Sequence, residues 1–338
     1  MHLKKTIGRN SLNLSKNKRI LIIRLSSLGD ILLSTPLIRS IKNQNKLVSI
    51  DILLRKEYQD LFKFNPYIEH IFTYDNDVYI DLLRELNDRN YDLVIDLQNN
   101  FRSAKIKRKI GSKVFSFNKR SISKFILVHF KFNTLKNSPL IPQRYADSVP
   151  GLNMDDGGLD LFLPDKKGQD LIPDDNYIGI APGSKHFTKM WLKEYYIDLS
   201  KMLQYDGFKI VIFGGKSDKH LCEEISNEIS GSINLCNDDK ILRTAENMSM
   251  CKAIICNDSG LMHAASTCKV PILAIFGSSV KEFGFLPYNC KYLILENNQL
   301  NCRPCSHVGK SKCPKKHFNC MKELTPGIAY SKLKELLN

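Results

Sequence analysis

Four stretches of this chain set polar and charged side chains at spacings that could do chemistry. In Arg24-Leu-Ser-Ser-Leu-Gly-Asp30 an apolar run meets the start of a helical pattern. Gly29 lets the backbone turn tightly. Asp30 at the helix start has two open roles: a helix cap, or a general base whose ionised form the helix dipole favours while lowering its basicity. In Ile180-Ala-Pro-Gly-Ser-Lys-His-Phe-Thr-Lys-Met-Trp191, the Pro-Gly-Ser turn offers amides and a hydroxyl that can meet phosphate. Lys185 and Lys189 either add positive charge there or sit in solvent, and Trp191 packs the loop down. In Cys256-Asn-Asp-Ser-Gly-Leu-Met-His263, the oxygens of Asp258 and Ser259 and the amide of Gly260 open a helix, a geometry suited to a diphosphate or sugar hydroxyls. His263, one turn in, faces the same ligand or is structural. Last, Cys302, Cys305, Cys313 and Cys320 form a full set of four thiols for a structural Zn²⁺. The later spacings, seven and six intervening residues, match no standard finger, so buried thiols remain the other reading.

The elements that must position these groups alternate. Strands are expected at Arg19–Leu25, Val48–Leu54, Ile68–Tyr74 and Tyr91–Leu97. Helical spacing covers 30–43, broken or bent at Pro36, then Glu57–Phe64 and Val78–Asn90. A Gly-, Pro- and Asp-rich stretch, 150–176, reads as a linker. The pattern restarts with strands at Tyr177–Ala181, Phe208–Phe213, Ala253–Cys256 and Pro271–Phe276. Helices are expected at Leu192–Tyr205, Asp218–Ile229, Ile241–Met250, Gly260–Cys268 and Pro326–Leu337, with Thr325 capping the last. This is an α/β chain, and 338 residues suit about two domains.

Lys and Arg exceed Asp and Glu by 50 to 35, a net charge of +15, which points to anionic partners. Residues 97–146 hold twelve Lys or Arg, no Asp or Glu, and six Phe. That is a solvated basic face or a surface for anions or membrane, and Lys119 and Arg120 are its candidate contacts. No nucleic-acid motif accompanies it, and a Gly-x-Gly-x-x-Gly fingerprint is absent, which argues against a nicotinamide dehydrogenase. No apolar run reaches the length of a membrane span, and Arg19–Arg24 is a poor signal-peptide core. The expectation is a cytoplasmic protein with reduced thiols.

Taken together the motifs resemble family 9 glycosyltransferases, the bacterial lipopolysaccharide heptosyltransferases. The resemblance is carried by Arg19–Pro36, Tyr91–Gln98 with Arg102-Ser103, and the Ala-Pro-Gly-Ser turn with Lys189 and Trp191. Asn257–His263 with Phe276-Gly-Ser-Ser279, and the Cys-rich tail through Pro326, complete the order. It implies a GT-B fold, two Rossmann-like domains with parallel sheets facing across a cleft. Residues 1–168 would bind the acceptor, 169–325 the nucleotide sugar, and 326–338 form a C-terminal helix. The implied reaction is inverting transfer of heptose from ADP-heptose to the Kdo/heptose inner core on lipid A, at the anionic inner face of the cytoplasmic membrane. No cofactor is required. Asp30 matches the proposed base. Ser184, Lys185 and Lys189 match positions near the donor diphosphate, and Asp258, Ser259, Gly260 and His263 the donor turn. Ser27 and Arg102 join Lys119 and Arg120 as acceptor candidates. Lys216 departs from the family: in members a Glu can stand after this Gly-rich strand end and contact the nucleoside, and an ammonium cannot accept hydrogen bonds from ribose. The alternative is another GT-B glycosyltransferase with a different nucleotide sugar or glycan acceptor.

Overall fold

A computed structural model describes residues 19–75, 77, 79–164, 170–172 and 176–338. The basic N-terminus up to Lys18, and the expected division between residues 168 and 169, lie outside the described residues. The rest folds as two compact units. One takes the chain as far as Lys119 and again from Ile141 to Gly157; the other takes Arg120–Leu140 and Gly158–Asn338.

In the first unit, strands β1 (Arg19–Ile23), β2 (Ser49–Arg55), β3 (His70–Tyr74), β4 (Leu93–Asp96) and β5 (Lys113–Ser116) pair in parallel in the order β3-β2-β1-β4-β5. The apolar runs of the inner strands β2, β1 and β4 are buried on both faces, as parallel strands covered by helices must be, while β3 and β5 at the edges are partly exposed. Leu21, Ile23, Leu53, Val94 and Phe72 form one core layer with Leu82, Leu86 and Ile106 from the helices. The helices in chain order are α1 (Leu28–Leu32), α2 (Thr35–Gln44), α3 (Tyr79–Asp88), α4 (Phe101–Ile110), α5 (Ser121–Phe130) and α6 (Ile141–Ala146). Of these, α5 belongs to the second unit. Pro36 splits the expected single helix into α1 and α2 by occupying the first turn of α2, where its missing N–H costs nothing. The segment expected as a helix at Glu57–Phe64 is a 3₁₀ turn, Lys56–Phe62.

The second unit carries β6 (Tyr177–Ala181), β7 (Lys209–Ile212), β8 (Ile233–Asn234), β9 (Ala253–Asn257), β10 (Ile272–Phe276) and β11 (Tyr292–Glu296), parallel and ordered β11-β10-β9-β6-β7-β8. Its helices are α7 (Lys193–Tyr205), α8 (Lys219–Asn227), α9 (Ile241–Met248), α10 (Gly260–Thr267), α11 (Asn319–Lys322) and α12 (Pro326–Leu337). Ile178, Ile180, Ile210, Ile212, Ile255 and Leu273 pack beneath α7 and α12.

The two strand orders decide where chemistry can sit. In the first sheet the order reverses at β1, between β2 and β4; in the second it reverses between β6 and β9. Loops at the carboxyl ends of strands flanking such a reversal part to opposite faces and leave a crevice. The turn holding Asp30 follows β1. The loops holding Ser184–Lys189 and Asp258–Gly260 follow β6 and β9.

Candidate active site

In the first unit the loop after β1 is built around Arg24. Its guanidinium is buried, donates from Nη1 to the Leu97 carbonyl at 2.5 Å, and pairs through Nη2 with Asp30 Oδ1 at 2.6 Å. Gln98, at the end of β4, accepts the Leu25 and Ser26 amides on Oε1 at 3.0 and 3.3 Å, which fixes the path into α1. Ser27 is the residue before α1, and its hydroxyl and amide donate to Asp30 Oδ2 at 2.9 and 3.3 Å. One Asp30 oxygen thus closes the helix start, the capping role, while the other holds the ion pair with Arg24. The buried Tyr145 on α6 adds its hydroxyl 3.5 Å from Oδ1, with its ring 5.7 Å from the Arg24 guanidinium.

Burial by itself would raise the Asp30 pKa; Arg24 and the Ser27 hydrogen bonds outweigh it and hold the carboxyl below its ordinary range. The side chain keeps 21% of its surface in contact with solvent. The group is thus ionised and reachable. Lys119 is half-buried nearby. Burial and the Arg24 charge lower its pKa, against the pull of Asp96 and Asp30. Arg102 is exposed on α4. Arg120 departs from its expected grouping: it lies in the second unit, in a left-handed backbone conformation before α5, and its guanidinium donates to Ser138. Lys119 and Arg120, adjacent in sequence, fall on opposite sides of the boundary between units.

In the second unit Asn257, the last residue of β9, clamps the loop after β6 at both ends. Its Nδ2 donates to the Pro182 carbonyl at 2.7 Å and its Oδ1 accepts the Trp191 amide at 3.0 Å. A side chain at Gly183 would meet the Asp218 carboxyl, its Cβ 2.3 Å from the carboxyl carbon, so any other residue there requires Asp218 to move. Trp191 packs on Tyr195 and Tyr196 and donates to the Leu324 carbonyl at 2.8 Å. Lys189, in a 3₁₀ turn, pairs with Asp258 Oδ2 at 2.7 Å, and Ser279 donates to the same oxygen at 2.5 Å. Ser259 precedes α10, and its buried hydroxyl has no hydrogen-bond partner among the described residues. Gly260 begins α10 and His263 is buried one turn along it. Ser184 is half-buried and Lys185 exposed. Sequence reasoning missed His186 and His307. Burial, then neighbouring ammonium groups, Lys189 among them for both, lowers their pKa and keeps them neutral. It also missed Thr188, whose hydroxyl accepts from Ser278 and from the Lys310 amide, tying the Lys189 turn to two further loops. Lys216 stands at the loop after β7, but its amide donates to Asp239 Oδ1 at 2.9 Å, so a carboxylate is present there from another position.

Cys302, Cys305 and Cys313 lie in the loop before α11 and Cys320 within α11, with Cys302 Sγ 3.8 Å from His317 Nε2. Burial raises the Cys305 thiol, and lifts that of Cys320 to about 12. Cys320 belongs to the core beneath α12. Among the described residues no group of three or more His, Cys, Asp or Glu side chains is disposed to hold a metal ion, so the expected four-thiolate cage is not assembled in this arrangement.

The sequence profile of glycosyltransferase family 9 (heptosyltransferase) matches residues 79–316. The chain belongs to this family. A lipooligosaccharide heptosyltransferase 2 of Haemophilus influenzae is 25% identical over 94% of this chain and 99% of its own length. Against the Campylobacter jejuni lipooligosaccharide heptosyltransferase 2, identity is 32% over 47% of this chain, and the match spans about half of that relative, 51%. Among solved structures, the Escherichia coli ADP-heptose lipopolysaccharide heptosyltransferase II superposes with a TM-score of 0.72 at 22% identity, covering 94% of this chain and 98% of that one. A family 9 glycosyltransferase from Veillonella parvula gives 0.75 at 20% identity, over 97% and 99%. The expected α/β class of GT-B type stands, with one parallel sheet in each unit. The family 9 profile begins beyond Asp30, whereas the match to the Haemophilus relative covers 94% of the chain and takes in Asp30.

Proposed function

We propose that this protein transfers heptose from ADP-heptose to the Kdo/heptose inner core of lipopolysaccharide, inverting the anomeric configuration, with Asp30 as general base. The observation that carries the reading is the ionised, solvent-reachable Asp30 carboxylate held at the end of β1 by Arg24 and Ser27, in a chain of a heptosyltransferase family. Relatives named lipooligosaccharide heptosyltransferase 2 support the acceptor, and a heptosyltransferase solved with ADP-2-deoxy-2-fluoro heptose supports the donor.

In this scheme an acceptor hydroxyl attacks the anomeric carbon as the bond to the diphosphate oxygen breaks. The hydroxyl proton passes to Asp30. A carboxyl held below its ordinary pKa is a weak base, so the proton moves only as the new C–O bond forms and the hydroxyl becomes acidic. Arg24 is a positioning residue. The departing ADP gains negative charge, which Lys189 and the amides at the start of α10, by Ser259 and Gly260, stabilise without a cofactor. Asp258 serves by orienting Lys189 rather than by touching phosphate, which a carboxylate would repel. Ser184, Lys185 and His263 line the donor side. Ser27, Arg102 and Lys119 meet the acidic acceptor, and the basic stretch favours the anionic inner face of the cytoplasmic membrane. Among the described residues no helix is long and apolar enough to cross a membrane.

A second reading, a different nucleotide-sugar donor, rests on Lys216. Both are tested by incubating purified protein with a panel of nucleotide sugars and truncated lipopolysaccharide acceptors. Turnover with ADP-heptose alone supports the first; turnover only with another donor selects the second; no turnover with any rejects both.

A further inference from the structure

Helix α5 is apolar on two faces at once. Its inward side places Leu127 against Leu135 and Phe283, flanked by Val128, Val280 and Phe285. Its outward stripe, Ile122, Phe125 and Phe130, continues into Phe132, and these four side chains are between 55% and 77% exposed. Ile122, Phe125 and Phe130 recur at i, i+3 and i+8, the spacing of one helical face, and Phe132 follows beyond the helix end. Large apolar side chains exposed together in this way mark an interaction surface.

The charges around it indicate what covers that face. Residues 120–140 carry four Lys or Arg and no Asp or Glu. Lys131 is turned back toward the protein, its ammonium donating to the carbonyls of Val128 and Pro304 at 2.8 and 2.7 Å. Lys124 lies over the Phe285 ring at 5.7 Å. Lys124 and Lys131 thus make contacts with the body of the unit, while the rings of Phe125, Phe130 and Phe132 are exposed. A bilayer presents the complementary order, anionic phosphates above hydrocarbon. A second copy docked on the same face would set these cations against their own equivalents.

We infer that the outward stripe of α5 inserts into the interfacial layer of an anionic phospholipid bilayer. This rests on the membrane location in the proposed function, but names an element in the second unit and a hydrophobic force rather than a basic face. The anchored inner side makes α5 a preorganised wedge, and its short length keeps it in the plane of the interface.

The test uses full-length protein and vesicles of phosphatidylglycerol and phosphatidylethanolamine, with neither donor nor acceptor. Phe125→Ser combined with Phe130→Ser should lower vesicle partitioning about tenfold or more, and the loss should persist in high salt, where purely electrostatic binding is already screened. Separately, Phe130→Trp should add a component of emission that shifts to the blue on vesicles. Unchanged partitioning of the double variant overturns the inference. So does lipid-free self-association that the double variant abolishes. Transfer to a soluble acceptor by the double variant should match the parent. A parent that binds vesicles through α5 but transfers no sugar would sink the proposed function and leave this inference standing.

Discussion

Each unit holds a carboxylate–cation pair at the reversal point of its sheet, and the two pairs are assembled in opposite senses. In the first, Arg24 is fixed by the Leu97 carbonyl and by burial, and Asp30 is the partner with free surface. In the second, Asp258 is fixed by Ser279 and by burial, and Lys189 keeps the larger exposed share. The separations are nearly equal, 2.6 and 2.7 Å. Similar pairs can therefore present a negative group in one place and a positive group in the other, according to which member the surroundings immobilise. The planar guanidinium suits the holding role because it can serve a carbonyl and a carboxylate together. The ammonium suits the presenting role because its donors turn freely.

The strongest break of this contrast is Asp30→Asn. It should lower kcat by about 10²–10⁴, the range for a lost general base, while ADP affinity stays constant. Near-normal turnover would leave Asp30 a helix cap only.

The second unit gives the mirror test. Lys189→Ala should weaken ADP binding by about ten- to a hundredfold, since a charge-assisted contact is lost. Asp258→Asn should weaken it less, because the ammonium remains. Calorimetry with ADP measures both, and thermal unfolding in parallel separates affinity from the destabilisation expected when a buried carboxylate loses its partner. An Asp258 effect as large as that of Lys189 would erase the distinction between holder and presented group.

Lys119→Met should raise the acceptor KM by about three- to tenfold and leave the donor KM alone. Arg120→Met should move neither, since its guanidinium is engaged with Ser138 in the other unit. Equal effects of the two substitutions would show that sequence adjacency, not unit membership, governs acceptor contact.

The smallest effect is in pH. Burial raises and Arg24 lowers the Asp30 pKa, and the net shift is downward. The stabilisation is then fully present above the ordinary carboxylate pKa of about 3.9 and is lost as pH falls through the lower folded value. The difference in unfolding temperature between the parent and Asp30→Asn should hold from neutral pH down to about pH 4 and shrink only below it. A difference that fades near pH 6 would mean that Arg24 does not set the Asp30 titration.

Much of this architecture is legible in the residues. The inner strands β1, β2, β4, β6, β9 and β10 are almost wholly buried and rich in Ile, Leu and Val, so they stand out as strands even where a polar residue such as Asp51 interrupts them. The strands that escape notice, β5, β8 and β11, lie at sheet edges, where half-exposed positions dilute the pattern. Helices α4 and α5 are hidden by their own charge and apolarity: α4 reads as a basic run, and α5 has apolar residues on too many faces to show a single stripe. The site turns are visible as motifs because Gly, Ser and Asp cluster there. The contacts made to them are not: Gln98 and Ser279 stand in recognised motifs, but that they bond the Leu25 amide and Asp258, and that Tyr145 on α6 meets Asp30, follows only from the fold.

The excursion that lends Arg120–Leu140 to the second unit has a consequence for synthesis. All the strands of the first sheet have emerged by Ser116. Leu127 and Leu135 must then wait for Phe283, roughly 150 residues later, or about 8–30 s at ordinary rates of elongation. Through that interval a nascent chain carries α5 with both apolar faces bare. The ribosome thus exposes an adhesive segment well before its own partners exist, and whatever it meets first, chaperone or lipid, meets it without competition from the native core.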